Sequence, residues 1–179
     1  MTVKELIEDY RQKSSGLPNS DYKTRHLLHE ECSRQIENMS APHDEIAAEL
    51  AIFAQQTCDD YTLENAREND LNWWIIAAHF HPSPKYLDSA CRILVCESNF
   101  IWHEGLLEIL YDIDDERAIP SIEKVLAYTM SYDIDHEMNL KALEVLGMIG
   151  TPKACAIIKS CLKSRSHAIR RRAILLLRD

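Results

Sequence analysis

The sequence predicts an all-α protein, a short α-solenoid of paired helices that follows an irregular helical cap. Three observations predict this fold. Leu, Ile, Ala and Glu, all common in helices, dominate the composition. No segment alternates between apolar and polar residues as a strand does. A pattern also recurs after about 36 residues near the C-terminus, which is a typical length for a repeat built from a helical pair.

The first part of the chain, residues 1–70, is predicted to form the irregular cap. Apolar residues recur at helical spacing in 2–13 and 21–38, and Pro42 suits the first turn of a third helix. Residues 58–70 are polar and poorly periodic, which predicts a loop containing a short helix.

Residues 71–179 have a clearer helical periodicity and are predicted to form the repeats. Gly150 and Thr151 end one helix and open the next. No linker is long enough to divide the chain, so we expect one domain over residues 1–179. The helices predicted after residue 70 are 73–80, 85–96, 101–113, 117–128, 136–149, 152–163 and 166–179.

The repeat aligns residues 107–110 (Leu-Glu-Ile-Leu) with residues 143–146 (Leu-Glu-Val-Leu). The turns after them also align, and both match Ser83-Pro84-Lys85 earlier in the chain. Each unit is predicted to be two antiparallel helices joined by a tight turn. Because neither helix can bury its apolar face alone, stacking of successive units supplies the core.

Two stretches carry a family resemblance. Residues 142–154 read Ala-Leu-Glu-Val-Leu-Gly-Met-Ile-Gly-Thr-Pro-Lys-Ala, and the Ile169-Arg170 pair lies within residues 166–177. These stretches resemble HEAT-like (armadillo-type) repeats, and the resemblance is good over residues 84–179. It implies a curved solenoid that binds partners, whose second helices line a concave face, with no catalytic residues to carry over. It also implies that the last repeat ends after its first helix, which leaves residues 175–177 to be covered by a cap or a partner.

The middle repeat departs from this pattern. Tyr111, Asp112 and Asp114 stand where the next copy has Gly147, Met148 and Gly150. The departure puts the geometry of its turn in question, but not its helices.

Charge is distributed unevenly along the chain. Residues 1–137 hold 27 acidic and 11 basic residues, a net charge of −16, whereas residues 138–179 hold 2 acidic and 9 basic residues, a net charge of +7. An acidic body repels phosphates and attracts basic partners. The basic end, with Arg170, Arg171 and Arg172, is the part suited to contact phosphate.

Location and redox state are predicted from what the sequence lacks. No apolar run approaches the roughly 18 residues of a membrane span, and acidic residues appear early in an N-terminus without a signal-peptide core. These features predict a cytoplasmic protein. The six cysteines include no Cys-x-x-Cys pair, so we interpret them as small, largely buried apolar residues in a reducing compartment: Cys32, Cys58, Cys91, Cys96, Cys155 and Cys161.

Few residues indicate catalysis or metal binding. His26 and His29 share a helix face, so a metal pair is geometrically possible, but they lack the His-Glu-x-x-His order of zinc proteases. Surface or half-buried histidines are the preferred interpretation. The sequence has no glycine-rich phosphate loop and no Gly-x-Ser-x-Gly motif. We therefore predict a protein that is not an enzyme and has no cofactor, no metal site and no catalytic residue.

Acidic clusters with nearby aromatic residues are the candidate partner-binding site. Turns and helix N-termini favour acidic residues anyway, so solvation alone is the competing interpretation. Neighbours on a helix point about 100° apart, so at least one of the paired tryptophans should belong to the core. The candidates are Asp59, Asp60, Glu64, Trp73, Trp74, Trp102, Tyr111, Asp112, Asp114, Asp115, Glu116, Asp133, Asp135 and Glu137.

Three functional hypotheses follow. Small acidic helical-repeat proteins of this size resemble the immunity proteins of bacterial toxin–immunity pairs, which implies docking of an acidic face over the active site of a basic, nuclease-type toxin. A scaffold or adaptor in a larger complex is the alternative, with a homodimer through the C-terminal end as a further option. A nucleic-acid-binding protein that uses the basic C-terminus is disfavoured by the overall acidity.

Overall fold

The part of the chain described by the computed structural model consists of helices and turns, with no strand among the described residues. These are residues 1–18, 20–40, 42–56, 70–128, 131, 133 and 135–178. The prediction of an all-α protein is confirmed, and helix ends differ from the predicted ones by up to about three residues. The α-helices are α1 (Val3–Ser15), α2 (Tyr22–Glu37), α3 (His43–Phe53), α4 (Leu71–Phe80), α5 (Leu87–Leu94), α6 (His103–Ile113), α7 (Ile119–Val125), α8 (Glu137–Ile149), α9 (Pro152–Cys161) and α10 (His167–Leu176).

The described N-terminal residues form regular helices. Thr2 and Glu5 form a capping box at the start of α1, in which the Thr2 hydroxyl accepts from the Glu5 amide at 3.1 Å. The Glu45 carboxylate on α3 accepts from the amides of Val3 and Lys4, at 3.2 and 3.1 Å. These bonds satisfy amides that have no partner within α1 and attach it to α3.

The helices pack as two rows. Helices α4, α6, α8 and α10, which we call the first helices, contact one another in that order, and so do the second helices α5, α7 and α9. α2 contacts α4 and α3 contacts α5, so the N-terminal pair extends both rows. One buried apolar cluster runs through this arrangement from Val3 in α1 to Ala173 in α10.

The turns within the two aligned repeats have the same geometry even though one of them lacks glycine. Asp114 has φ of 50° and Gly150 has φ of 61°, both left-handed, and their amides bond to Leu110 and Leu146 at 3.2 and 3.1 Å. The departure of the middle repeat therefore does not alter its turn. An L-residue pays a steric cost in this conformation, which aspartate tolerates better than most.

Each second helix begins after a residue whose side chain caps it. Ser83, Asp115 and Thr151 have extended backbones, and their side-chain oxygens accept from the amides of Lys85, Arg117 and Ala154. These are the positions that the sequence alignment matched. In the first two cases a short 3₁₀ turn, Pro84–Tyr86 or Glu116–Ala118, leads into the α-helix.

Buried polar side chains occupy corresponding places in the two repeats. His103 begins α6 and Asn139, 36 positions later, lies in the first turn of α8. The Asn139 amide donates to the carbonyls of Val125 and Leu126, at 3.5 and 3.3 Å, at the C-terminal end of α7. The His103 ring lies 2.8 Å from the Cys96 carbonyl, just after α5. Each side chain thus satisfies carbonyls at the end of the preceding second helix.

The cysteines within the described residues form no disulfide bond with one another: Cys32, Cys91, Cys96, Cys155 and Cys161. Cys32 and Cys96 are buried, and the other three are partly buried. Burial raises the pKa of the Cys32 thiol to about 11, which keeps it protonated at neutral pH. Within the described residues, no helix is long and apolar enough to cross a lipid bilayer.

Candidate functional site

Open grooves lie between successive first helices. One of them, which we call the α6–α8 groove, has a volume of about 630 Å³. The family resemblance implies that the second helices line the binding face, but this groove lies on the opposite row. Its lining combines an indole, four carboxylates, one ammonium group and one leucine: Trp102, Glu104, Glu108, Glu137, Leu140, Lys141 and Glu144.

Trp102 lies at the entrance of the groove, and its position follows from two neighbours. A Cβ placed on Gly105 would come within 2.4 Å of the Trp102 ring, so the indole lies directly against the α6 backbone at a place where only glycine leaves room. The Asn72 side chain, on α4, donates to the Phe100 carbonyl and accepts from the Trp102 amide, both at 3.0 Å. Trp102 is therefore held half-buried in one place, with part of its surface facing the groove.

His103 anchors the same loop from the buried side. Its Nδ1 lies 3.0 Å from the Ile101 carbonyl and its Nε2 lies 2.8 Å from that of Cys96. Burial lowers the pKa of the imidazole by more than hydrogen bonding to the two carbonyls raises it. The pKa therefore lies below its ordinary value of 6.5. At neutral pH the ring is therefore uncharged, and its single N–H donates to one of these two carbonyls.

The carboxylates crowd one end of the groove. Burial first, and then the negative charges of Asp133, Glu137 and Glu108, raise the pKa of the Glu104 carboxyl above its ordinary value of 4.5. Neither Glu104 nor Glu137 forms an ion pair with a described residue. This end of the groove carries negative charge that described residues do not neutralise.

The other end of the groove is neutralised by a chain of ion pairs. Lys141 on α8 lies 3.1 Å from the Glu108 carboxylate on α6 and 3.8 Å from that of Glu144. Glu144 also pairs with Arg172 on α10, and His79 on α4 lies 3.4 Å from Glu108. The ion pairs thus join α6, α8 and α10, and Glu104 and Glu137, beside Trp102, take part in none with a described residue.

This arrangement has the chemistry of a receptor for a basic side chain. A guanidinium or ammonium group between Glu104 and Glu137 would form ion pairs with both carboxylates. The face of an aromatic ring also attracts cations, and tryptophan does so most strongly. Partial burial strengthens such contacts because water screens them less.

The paired tryptophans lie away from this groove. Trp74 is 2% exposed and belongs to the core, which confirms that at least one of the pair is buried. Trp73 packs between Tyr10 and His29, with ring centroids 4.8 and 4.6 Å away, where α1, α2 and α4 meet. Both therefore contribute to helix packing.

The acidic residues predicted to bind a partner fall into separate places. Tyr111, Asp112, Asp114, Asp115 and Glu116 lie at the C-terminal end of α6 and in the following turn, about 10 Å or more along the helix from its start. Asp115 is engaged locally, because it caps the next turn and pairs with Arg117 at 2.8 Å.

Of the remaining candidates, only some lie near Trp102. Glu137 lines the groove with Trp102, and Asp133 is close enough to act on the pKa of Glu104. Asp135 is exposed just before α8. Asp59, Asp60 and Glu64 lie outside the described residues.

Four groove residues were not among the predicted partner-binding residues, although the sequence contains a signal for them: Glu104, Glu108, Lys141 and Glu144. Glu104 and Glu108 are four apart on α6, so they share a face. Glu108 and Glu144 are 36 apart, so they occupy equivalent positions in the aligned repeats. Lys141, three residues before Glu144, shares that face of α8. Combining the helical spacing with the repeat alignment would have selected all four residues.

The two histidines considered for metal binding contact other side chains in the structure. His26 Nε2 lies 3.3 Å from the Glu30 carboxylate, and the His29 ring packs against Trp73. No cluster of three or more His, Cys, Asp or Glu suited to hold a metal occurs in the described part of the chain.

Comparison with protein-family models, with curated proteins and with solved structures finds no match to this chain.

Proposed function

We propose that this chain is a HEAT-like helical-repeat protein that acts by binding another protein, and that its partner is a basic, nuclease-type bacterial toxin. In this proposal it is an immunity protein that docks the α6–α8 groove over the active site of the toxin. The observation that carries the proposal is the juxtaposition of Trp102 with the carboxylates of Glu104 and Glu137, which form no ion pair with a described residue.

The packing of the helices supports a repeat architecture. First helices contact first helices and second helices contact second helices, as expected when helical pairs stack. Asp114 and Gly150 each adopt the left-handed conformation at the turn of their own repeat. His103 and Asn139 are each buried near the start of a first helix, next to carbonyls at the end of the preceding second helix. These correspondences support a repeat of 36 residues in structure as well as in sequence.

Inhibition would be steric and electrostatic. Nuclease active sites bind phosphates with Lys and Arg, and the same groups suit an acidic groove with an aromatic wall. A net charge of −16 over residues 1–137 would steer such a partner and accelerate association. Trp102, as a half-buried aromatic anchor, is expected to contribute about 2 kcal/mol or more to binding.

Co-expression in bacteria tests the proposal. A toxin domain encoded beside this gene is expressed with the wild-type protein or with a variant, and growth is measured. We expect the wild type to rescue growth. Trp102→Ala and Gly105→Ala should fail, the second because its new methyl group displaces the indole without changing any charge.

Gly16→Ala provides the matched control, because nothing lies within 4 Å of the added methyl group. This variant should rescue growth as well as the wild type does. The absence of a toxin gene beside this one, or full rescue by Trp102→Ala, would contradict the proposal.

A further inference from the structure

The outer side of α10 presents an apolar strip between arginines. Ile174 and Leu175 are each 43% exposed, and Arg171 and Arg178 are exposed on either side of them. Arg171, Ile174 and Leu175 are spaced i, i+3 and i+4, which places them on one face of the helix. Arg178 follows the C-terminal end of α10 and lines the same groove as these three residues. We call this set, Arg171, Ile174, Leu175 and Arg178, the α10 face.

The other side of α10 is engaged with the rest of the protein. Ile169 and Ala173 are buried, and the Leu176 side chain packs directly on Gly147 of α8. Arg172 pairs with Glu144, and Arg170 donates to the carbonyls of Ser164 and Arg165. By contrast, neither Arg171 nor Arg178 forms an ion pair with any described residue.

Grooves run along both sides of the α10 face. The groove toward α8 has a volume of about 490 Å³ and includes Leu140, Ala168 and Leu175. The groove on the outer side has a volume of about 530 Å³ and includes Ile174, Leu175 and Arg178. Arg171 and Leu175 border both grooves. A ridge with a groove on either side is the kind of surface on which another helix packs.

The charge of this region selects the occupant. Glu144, the carboxylate that lines the groove toward α8, already pairs with Lys141 and Arg172. Arg171 and Arg178 pair with no described residue, so negative charge on the partner would complement them. We propose that the α10 face binds an amphipathic helix of a second protein, with leucine-like residues on one side and Glu or Asp around them. α10 is about 15 Å long, which matches a partner segment of about three turns.

Two other occupants fit the surface less well. A symmetric pair of α10 helices would bring Arg171 and Arg178 of one copy against the same residues of the other, which costs energy. A nucleic acid would leave Ile174 and Leu175 facing phosphates, and the body of the protein, at −16, would repel it. The proposed partner is also distinct from the basic one at the α6–α8 groove, so each proposal stands or fails alone.

Binding of designed peptides to the full chain tests this inference. Three fluorescein-labelled helical peptides of about 14 residues share a leucine face and carry Glu, Gln or Lys elsewhere. By fluorescence anisotropy we expect the Glu peptide to bind at least about tenfold more tightly than the Gln peptide. The Lys peptide should show no binding.

Variants assign the binding to this face. Arg171→Glu with Arg178→Glu should reverse the preference from the Glu peptide to the Lys peptide. Ile174→Ser with Leu175→Ser should weaken binding of the Glu peptide by about tenfold or more, since apolar burial is lost. Arg92→Glu, an equally exposed arginine on α5, should leave binding unchanged.

Four results would overturn the inference. The first is equal affinity for the Glu and Gln peptides, and the second is binding that the α10 variants do not alter. The third is a concentration-dependent dimer, measured by light scattering, that the same variants dissociate, since a second copy would then occupy the face. The fourth is tighter binding of a duplex DNA oligonucleotide than of the Glu peptide, lost in the same variants.

Discussion

At the scale of single residues, the backbone conformation of Asp114 has a measurable cost. Asp114 adopts the left-handed conformation that Gly150 adopts in the next repeat. Asp114→Gly should raise the free energy of unfolding by about 0.5–1 kcal/mol, because glycine enters this region without a steric penalty. Gly150→Ala should lower it by about 1 kcal/mol for the reverse reason. Urea denaturation of both variants measures the effect, and a stability loss in Asp114→Gly would contradict a purely steric account.

His103 makes stability depend on pH. Burial lowers its pKa in the folded state below 6.5, so as pH falls the unfolded chain takes up a proton before the folded chain does. The free energy of unfolding should therefore decrease as pH falls from about 7 to 5. His103→Asn, which introduces the residue found at the equivalent position 139, should fold, lose about 1 kcal/mol at pH 7, and show a smaller decrease.

Chemical denaturation at several pH values checks this expectation. His167→Asn is the control, because it makes the same change of residue type at an exposed position on α10. An equal loss of stability toward acid in the wild type and in His103→Asn would contradict the role given to burial of His103.

At the scale of elements, packing and charge contribute unequally to holding the first helices together. Leu143 on α8 is fully buried, whereas Lys141 on the same helix is about one third exposed. Leu143→Ala should lower the free energy of unfolding by about 2–5 kcal/mol. Lys141→Met should lower it by at most about 1 kcal/mol, because partly exposed ion pairs are screened by water and by salt.

Salt distinguishes the two effects. The decrease in the free energy of unfolding caused by Lys141→Met should become smaller as the salt concentration rises. The decrease caused by Leu143→Ala should stay constant. Urea denaturation at low and high salt measures both. If Lys141→Met cost as much as Leu143→Ala and did so at every salt concentration, the ion-pair chain would have a larger structural role than its exposure implies.

Element positions could be predicted well because helical periodicity and capping are local. Ser83, Asp115 and Thr151 each precede a second helix, and each caps it in the structure. The turn at Asp114 was harder to predict, since the conformation of a non-glycine residue there depends on the helices that it joins. An indole lies against Gly105 and leaves no room for a side chain there. Nothing in the local sequence indicates this contact.

At the scale of the whole molecule, opposite charges are separated on different surfaces. The carboxylates beside Trp102 lie between α6 and α8, and the arginines of the α10 face lie at the C-terminal end of the row of first helices. The sequence predicted both the acidic body and the basic end. It did not predict which acidic residues come together, because Glu104 and Glu137 are far apart in sequence and become neighbours only when α6 packs on α8.

The most direct test of the central claim is the affinity of the purified partner for two charge-reversed variants. Glu104→Lys with Glu137→Lys alters the α6–α8 groove. Asp112→Lys with Glu116→Lys makes the same change in net charge at the other end of α6, where both residues are exposed. We expect the first pair to weaken binding by about 100-fold or more, about 2.7 kcal/mol, and the second by about threefold or less. Equal losses in the two variants, or an unchanged affinity in the first, would contradict the assignment of the groove as the binding site.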